Sequence, residues 1–474
     1  MTKSTISTLI LFLLLIFSIS FYFLANGSDK GVEVFCLFLL AIALITYFFS
    51  SKRSFELRGN TFRPSLFLLF GLVIIGCQNI IDLLLGYMQE SNVVFISPKI
   101  VDKGFAFAIS GIISFLLGYV ITTNGLKARP DGDRFVSIKL LNYGAAAFFI
   151  LFVLSLDSSF FSGEDYIESG IIAKSTTNNS EFVLGVLFAS VIIQYSINRK
   201  GYMTFRQYIF GFPKLFLVVF FSYLVLRFIS GARASVLRNV LLLFFSYSFV
   251  CRKQPFKTST IIVFLIVGVV LFSALSFSRG LVGNSFSERY SYGLEHLKNN
   301  GSISPPTQEL AHSQICNQLI IKELQEKPNS MSYGGNQLRY FIVLFVPNRI
   351  LNMIWPMPLE RQGSAYFLTV QYLGRNATSG LGTTLWADFF LDFGFIGMLL
   401  CMGIVGGLFK KIDMLIFSKD KMYSTFSTVM ALSLGSSSLY LSRSAFIPLL
   451  RLPLYVFIVL IINRSLFRQK GARA

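Results

Sequence analysis

Apolar runs long enough to cross a bilayer alternate with short polar segments along nearly the whole chain. Roughly 20 consecutive apolar residues are needed for one helical crossing. Twelve such spans are predicted, at 5–24, 33–50, 65–86, 104–123, 138–157, 181–197, 213–230, 236–251, 260–279, 386–409, 424–441 and 445–463. The expected fold is all-α: a polytopic transmembrane bundle forming one membrane domain over 1–474. A large loop, 280–384, falls between spans nine and ten.

Alternate loops are rich in Lys and Arg, among them "SKRSFELRGNTFRP", "NGLKARPDGDRFVS" and "CRKQPFKTS". Such loops stay on the cytoplasmic side. Both termini are then cytoplasmic, and the 280–384 loop is extracytoplasmic. The first run resembles a signal peptide in composition, but its length and the span close behind it predict a retained helix. The segment 340–358 is apolar but interrupted by Pro347, Asn348 and Arg349, so it is read as an amphipathic or re-entrant piece at the membrane surface.

Composition narrows the class. The chain is 54% hydrophobic and only 14% charged, against roughly 25% charged in a soluble domain. The net charge of +19 is spread over short loops rather than gathered in a nucleic-acid module, so no nucleic-acid partner is expected. The five Cys form no CxxC and no Cys/His cluster, and no metal is expected. No phosphate-binding Gly-rich loop or cytoplasmic segment of domain size is present, so any chemistry is placed on the outer side without nucleotide.

Arg is frequent on that outer side, where topology alone disfavours it. A guanidinium offers fixed paired donors and stays charged when partly desolvated, which suits phosphate at a membrane surface. The candidate anion-binding residues are Arg233, Arg279, Arg339, Arg349, Arg361 and Arg443. Arg227, Arg238 and Arg451 stand with them at the span ends; for any single Arg snorkelling to lipid phosphates or pairing with a nearby acid is the plainer role, whereas the set together points to an anionic lipid ligand.

Two acids open span ten in "TTLWADFFLDFGFIGMLL", Asp388 and Asp392, four residues apart and so on one helix face. Asp388 falls in the first turn, where a carboxylate can cap the helix. Asp392 lies one turn deeper, where an Arg partner is expected. These two are the candidate catalytic carboxylates, with Asp388 the freer and the better general base. Asp82 is read as structural. His296 and His312, both in the outer loop, are the other candidates for proton transfer.

"SYGG" at 332–335, "VPNR" at 346–349, "WPMP" at 355–358 and "DFFLDFGFIG" at 388–397 together resemble the O-antigen polymerase (Wzy) family. That family carries a "Yg … P … P" region in a late outer loop, followed by a helix opening E-x-Y-x-N-F-G-x-x-G. Asp388 stands at the Glu of that pattern, Phe390 at the Tyr, Asp392 at the Asn, and Gly394 and Gly397 at its glycines. The resemblance is useful over 225–409, including the tight turn at Arg233. It implies an enzyme of the bacterial inner membrane that polymerises undecaprenyl-pyrophosphate-linked repeat units at the outer face. It also implies no cofactor, with membrane lipid, a chain-length regulator and a flippase as partners. O-antigen ligase and a lipid-linked oligosaccharide flippase or transporter are the competing functions.

Overall fold

The computed structural model describes residues 3–51, 60, 62–87, 100–123, 137–156, 175–199, 201–230, 232–277, 286–299, 302, 304–346, 348–356, 363–375, 377, 380–418 and 424–466. All their regular structure is helical. The chain opens with α1 (Lys3–Leu24), α2 (Lys30–Ser51), α3 (Pro64–Leu84), α4 (Val101–Ile121) and α5 (Lys139–Leu154). There follow α6 (Ser175–Asn198), the short α7 (Phe205–Phe210), α8 (Lys214–Ile229), α9 (Arg233–Cys251) and α10 (Thr258–Phe277). Six shorter helices come next: α11 (Phe286–Asn299), α12 (Gln308–Ala311), α13 (Ile315–Glu326), α14 (Gly335–Val343), α15 (Asn348–Ile354) and α16 (Ser364–Leu373). The long α17 (Leu385–Phe417) leads to α18 (Thr425–Ser436), α19 (Ser438–Leu441), α20 (Phe446–Leu449) and α21 (Arg451–Leu466).

Among the described residues, eight helical stretches are long and apolar enough to cross a membrane: α1 to α4, α6, α9, α17 and the α20–α21 run. The protein is therefore a multi-pass membrane protein. The other four expected spans coincide with shorter apolar helices: α5 and α8 have 16 residues each, α18 has 12, and α10 carries its apolar stretch over Thr258–Val270. The helical residues described in the tempting 340–358 segment belong to α14 and α15, of nine and seven residues, each too short for a crossing.

The centre of the bundle is the α4–α17 pair, and glycine makes it possible. A Cβ on Gly118 would lie 1.9 Å from the Gly403 carbonyl oxygen, and one on Gly406 would lie 1.9 Å from that of Phe115. The backbones therefore touch, the close approach that small residues allow between membrane helices. Ser114 Oγ donates to the Leu399 carbonyl at 2.6 Å across the same seam. α1 packs on the pair through Tyr22, whose ring stacks on Phe395 at 3.9 Å.

Each end of the bundle is closed by buried polar groups. At one end Asp413 of α17 accepts from Tyr119 Oη at 2.8 Å and from Ser65 Oγ at 2.5 Å. Arg63 and Tyr47 extend that network, with Arg63 Nη1 reaching Tyr119 Oη and Tyr47 Oη meeting Ser65 Oγ. At the other end the segment after α11 is tied to α3. Ser302 Oγ donates to Asp82 at 2.6 Å, Gln78 Nε2 to the Ser304 carbonyl at 2.9 Å, and Asn79 Nδ2 to the Ala311 carbonyl at 3.1 Å. Asp82 thus has the structural role expected of it.

Candidate functional site

α17 is not one continuous helix. Thirty-three residues would extend about 50 Å at 1.5 Å each, well past a hydrocarbon core of about 30 Å. Gly394, at φ 65° and ψ −170°, breaks it into an N-terminal piece that carries both acids and a C-terminal piece that carries the glycine seam. Only glycine adopts that backbone region at low cost. Thr384 caps the N-terminal piece, its Oγ1 accepting from the Ala387 N–H at 3.1 Å. Thr384 therefore does the capping that the sequence offered to Asp388.

"SYGG" makes the other half of the site. Tyr333 and Gly334 have φ of 46° and 83°, and Gly335 N–H donates to the Ser332 carbonyl at 2.8 Å. Two consecutive positive φ values closed by that bond define a type I′ turn. The turn aims its N–H groups at the break in α17. Ser332 N–H donates to the Leu391 carbonyl at 2.9 Å and Gly334 N–H to that of Asp392 at 3.1 Å. The regular partners of those carbonyls would lie four residues on, across Gly394.

The Asp392 side chain completes the joint. Its Oδ1 accepts from the Asn336 N–H at 3.3 Å and its Oδ2 from the Gln337 N–H at 2.8 Å. It therefore caps α14 from another helix, where free N–H groups and the helix dipole favour an anion. This corrects the expected Arg partner: both Asp392 oxygens are taken by backbone N–H groups.

Asp388 differs from expectation in another way. It is fully buried rather than freely exposed. Its Oδ1 accepts from Ser364 Oγ at 2.6 Å and its Oδ2 from Gln337 Nε2 at 2.8 Å, while the Phe446 backbone N–H also faces it. Tyr340, one turn beyond Gln337 on α14, stands beside the same carboxylate. Burial, then the Asp388 charge, push its phenol well above the usual tyrosine range. Tyr340 Oη accepts from the Ser364 N–H at 3.1 Å. Gly363 makes that approach possible, because it has φ 137° and a Cβ there would lie 2.2 Å from Tyr340 Oη. Gln337 Oε1 is buried without a hydrogen-bond partner, and so is available to a ligand hydroxyl.

Sequence reasoning found the two acids and the "SYGG" turn but missed Gln337, Tyr340 and Ser364. Their signals are faint: Gln337 and Tyr340 are three apart just after the turn, and Ser364 follows a lone glycine.

Of the six candidate Arg, the side chains of Arg233, Arg339 and Arg443 are described. Arg279 and Arg361 lie outside the described residues, and Arg349 is placed only as part of α15. Arg443 stands near Cys316, whose thiol burial raises to about 12 while the Arg443 charge lowers it. Cys316 in turn faces the Leu381 and Gly382 carbonyls just ahead of α17. Arg233 opens α9, beside a cluster around the first turns of α6. There Arg227 pairs with Glu181 at 2.9 Å, Glu181 also accepts from Ser235 Oγ at 2.8 Å, and Arg451 lies over the Phe182 ring at 4.5 Å. Arg339 is buried on α14 and donates to Asn352 Oδ1 at 2.5 Å. Of the two His, His312 lies in the turn between α12 and α13; nothing is described of the His296 side chain. No group of His, Cys, Asp and Glu able to hold a metal ion occurs among the described residues.

Comparison with protein-family models, with curated proteins and with solved structures finds no match to this chain.

Proposed function

We propose that this protein polymerises undecaprenyl-pyrophosphate-linked oligosaccharide repeat units into O-antigen or a related surface polysaccharide, at the outer face of a bacterial inner membrane. One observation carries the reading. The two segments that bear the family resemblance, 332–335 and 388–397, have 52 residues between them, yet they fold onto each other through Asp392 and the Ser332 and Gly334 N–H groups.

In this reading the hydroxyl of the acceptor repeat unit attacks the anomeric carbon of the donor glycan. The carbon–oxygen bond to pyrophosphate breaks, and its electron pair leaves on the lipid carrier. Asp388 takes the hydroxyl proton, as a carboxylate in hydrogen-bond reach can. Ser364 and Gln337 hold that carboxylate in place, and Gln337 Oε1 accepts from a second sugar hydroxyl. Asp392 acts through α14, fixing the turn that carries Gln337. Arg233, Arg279, Arg349, Arg361 and Arg443 are the proposed counter-charges for the departing pyrophosphate. Arg339, two positions past Gln337 on α14, turns away from the carboxylates and stands outside that set.

The sugar–pyrophosphate bond is itself the energy source, so the test is a nucleotide-free one. The purified protein is reconstituted in vesicles with a polyprenyl-pyrophosphate-linked repeat unit, and chain length is read by gel. Products of two or more repeat units are expected. Movement of the lipid between leaflets with no longer product would leave a transporter as the better reading.

A further inference from the structure

Arg339 is a large cation that the proposed reaction leaves unused. It is only 2% exposed. Nη2 donates to Asn352 Oδ1 at 2.5 Å, whereas the equally buried Nη1 meets no hydrogen-bond partner. None of the ion pairs among the described residues involves it. A guanidinium withdrawn from water without a carboxylate is unfavourable, and an anion that reaches its free edge relieves that cost. With 100° between successive helical residues, Arg339 points about 200° away from Gln337, so the Asp388 carboxylate is not that anion.

The surface beside Arg339 is apolar. Leu338, Phe341 and Phe345 follow at i, i+3 and i+7, each more than half exposed, and Phe341 and Phe345 are in ring contact at 5.6 Å. On α15 the stripe continues through Met353 and Ile354, which are 83% and 75% exposed. A free phosphate would make no use of these side chains. An anion carried on acyl chains would use both features.

We infer that the α14–α15 pair is a binding site for a membrane phospholipid, with Arg339 taking the phosphate diester and the Leu338–Phe341–Phe345 stripe lying against the acyl chains. The site is distinct from the carboxylate pair and does not depend on the polymerase reading. Since Nη1 is covered in the chain alone, the two short helices part slightly as the lipid enters.

The full-length protein in neutral detergent tests this through its thermal unfolding midpoint. Phosphatidylglycerol is expected to raise the midpoint by about 3 °C or more, as a ligand of the folded state does. Diacylglycerol with the same chains, which lacks the phosphate, and inorganic phosphate, which lacks the chains, are each expected to leave it unchanged. Arg339→Met is expected to lose the phosphatidylglycerol shift without unfolding earlier in lipid-free detergent, since the buried charge it removes has no counter-ion among the described residues. Phe341→Ser, on the exposed stripe, is expected to reduce the shift by half or more. An undiminished shift in Arg339→Met, or an equal shift with diacylglycerol or phosphate, overturns the site. Earlier unfolding of lipid-free Arg339→Met overturns it too, by making the guanidinium structural.

Discussion

Gln337 holds both acids at once: its backbone N–H donates to Asp392 Oδ2 and its side-chain Nε2 to Asp388 Oδ2, each at 2.8 Å. One residue of the turn-and-helix unit thereby sets the position of two carboxylates on the broken α17. The backbone contact is indifferent to the side chain, but the second is not. Gln337→Met keeps the length and the helix while removing the amide. Its protein level is expected to stay normal and its chain-extension rate to fall by 10-fold or more. Quantitative immunoblot beside a lipopolysaccharide gel checks this, and full-length ladders from the variant would remove Gln337 from the site.

Asp392→Asn separates capping from catalysis. The amide retains one acceptor oxygen for two N–H groups, and its NH₂ would face the other. Leaving one buried donor unsatisfied costs about 1–3 kcal/mol. The expected result is a lower unfolding midpoint for the purified protein, with Asp392→Ala lower still. Equal midpoints for wild type and both variants would show that the cap contributes nothing.

Gly394→Ala tests the break itself. A side chain at φ 65° and ψ −170° costs on the order of 1–3 kcal/mol, and a regular helix there would return the Leu391 and Asp392 carbonyls to in-helix partners. The turn at 332–335 would then lose its seat. A cysteine pair placed at Ser332 and Leu391 in otherwise Cys-free protein is expected to cross-link, and to do so less once Gly394→Ala is added. Unchanged cross-linking yield in the combined variant would mean that the break does not position the turn.

Much of the bundle was readable because hydropathy is a one-dimensional signal. Each apolar run records a segment that avoids water, and all eight helical stretches suited to crossing a membrane fall on expected spans. In the 340–358 segment, which Pro347 and Arg349 divide in sequence, the described helical residues fall in two short helices rather than one long one. Side-chain partners were less legible. Asp392 was expected to meet an Arg because a buried charge needs compensation, yet free N–H groups at the start of α14 supply it instead. That helix start is 57 residues away in number (392 − 335), and nothing in the local sequence of α17 announces it. Asp388 was expected near water because it opens an apolar run, but α16 and α20 cover it through Ser364 and Phe446. Asp413 passed unnoticed beside two lysines, though it anchors the buried network at the opposite end.

Gly118→Leu probes the bundle rather than the site. The Gly403 carbonyl lies 1.9 Å from where the new Cβ would stand, so α4 and α17 must separate. The variant is expected not to accumulate in membranes, while Gly268→Leu on α10, where a Cβ would meet nothing within 4 Å, accumulates normally. Normal amounts of Gly118→Leu by immunoblot would contradict the seam.

The central claim is that Asp388 receives the proton in chain extension. Asp388→Asn keeps the shape and can still accept from Ser364 or Gln337, but it removes the basic oxygen. The most direct measurement is the lipopolysaccharide ladder of cells carrying only this variant, run beside an immunoblot of the protein. The account predicts normal protein with chains no longer than a single repeat unit on lipid A-core. A full-length ladder at normal protein level would contradict it.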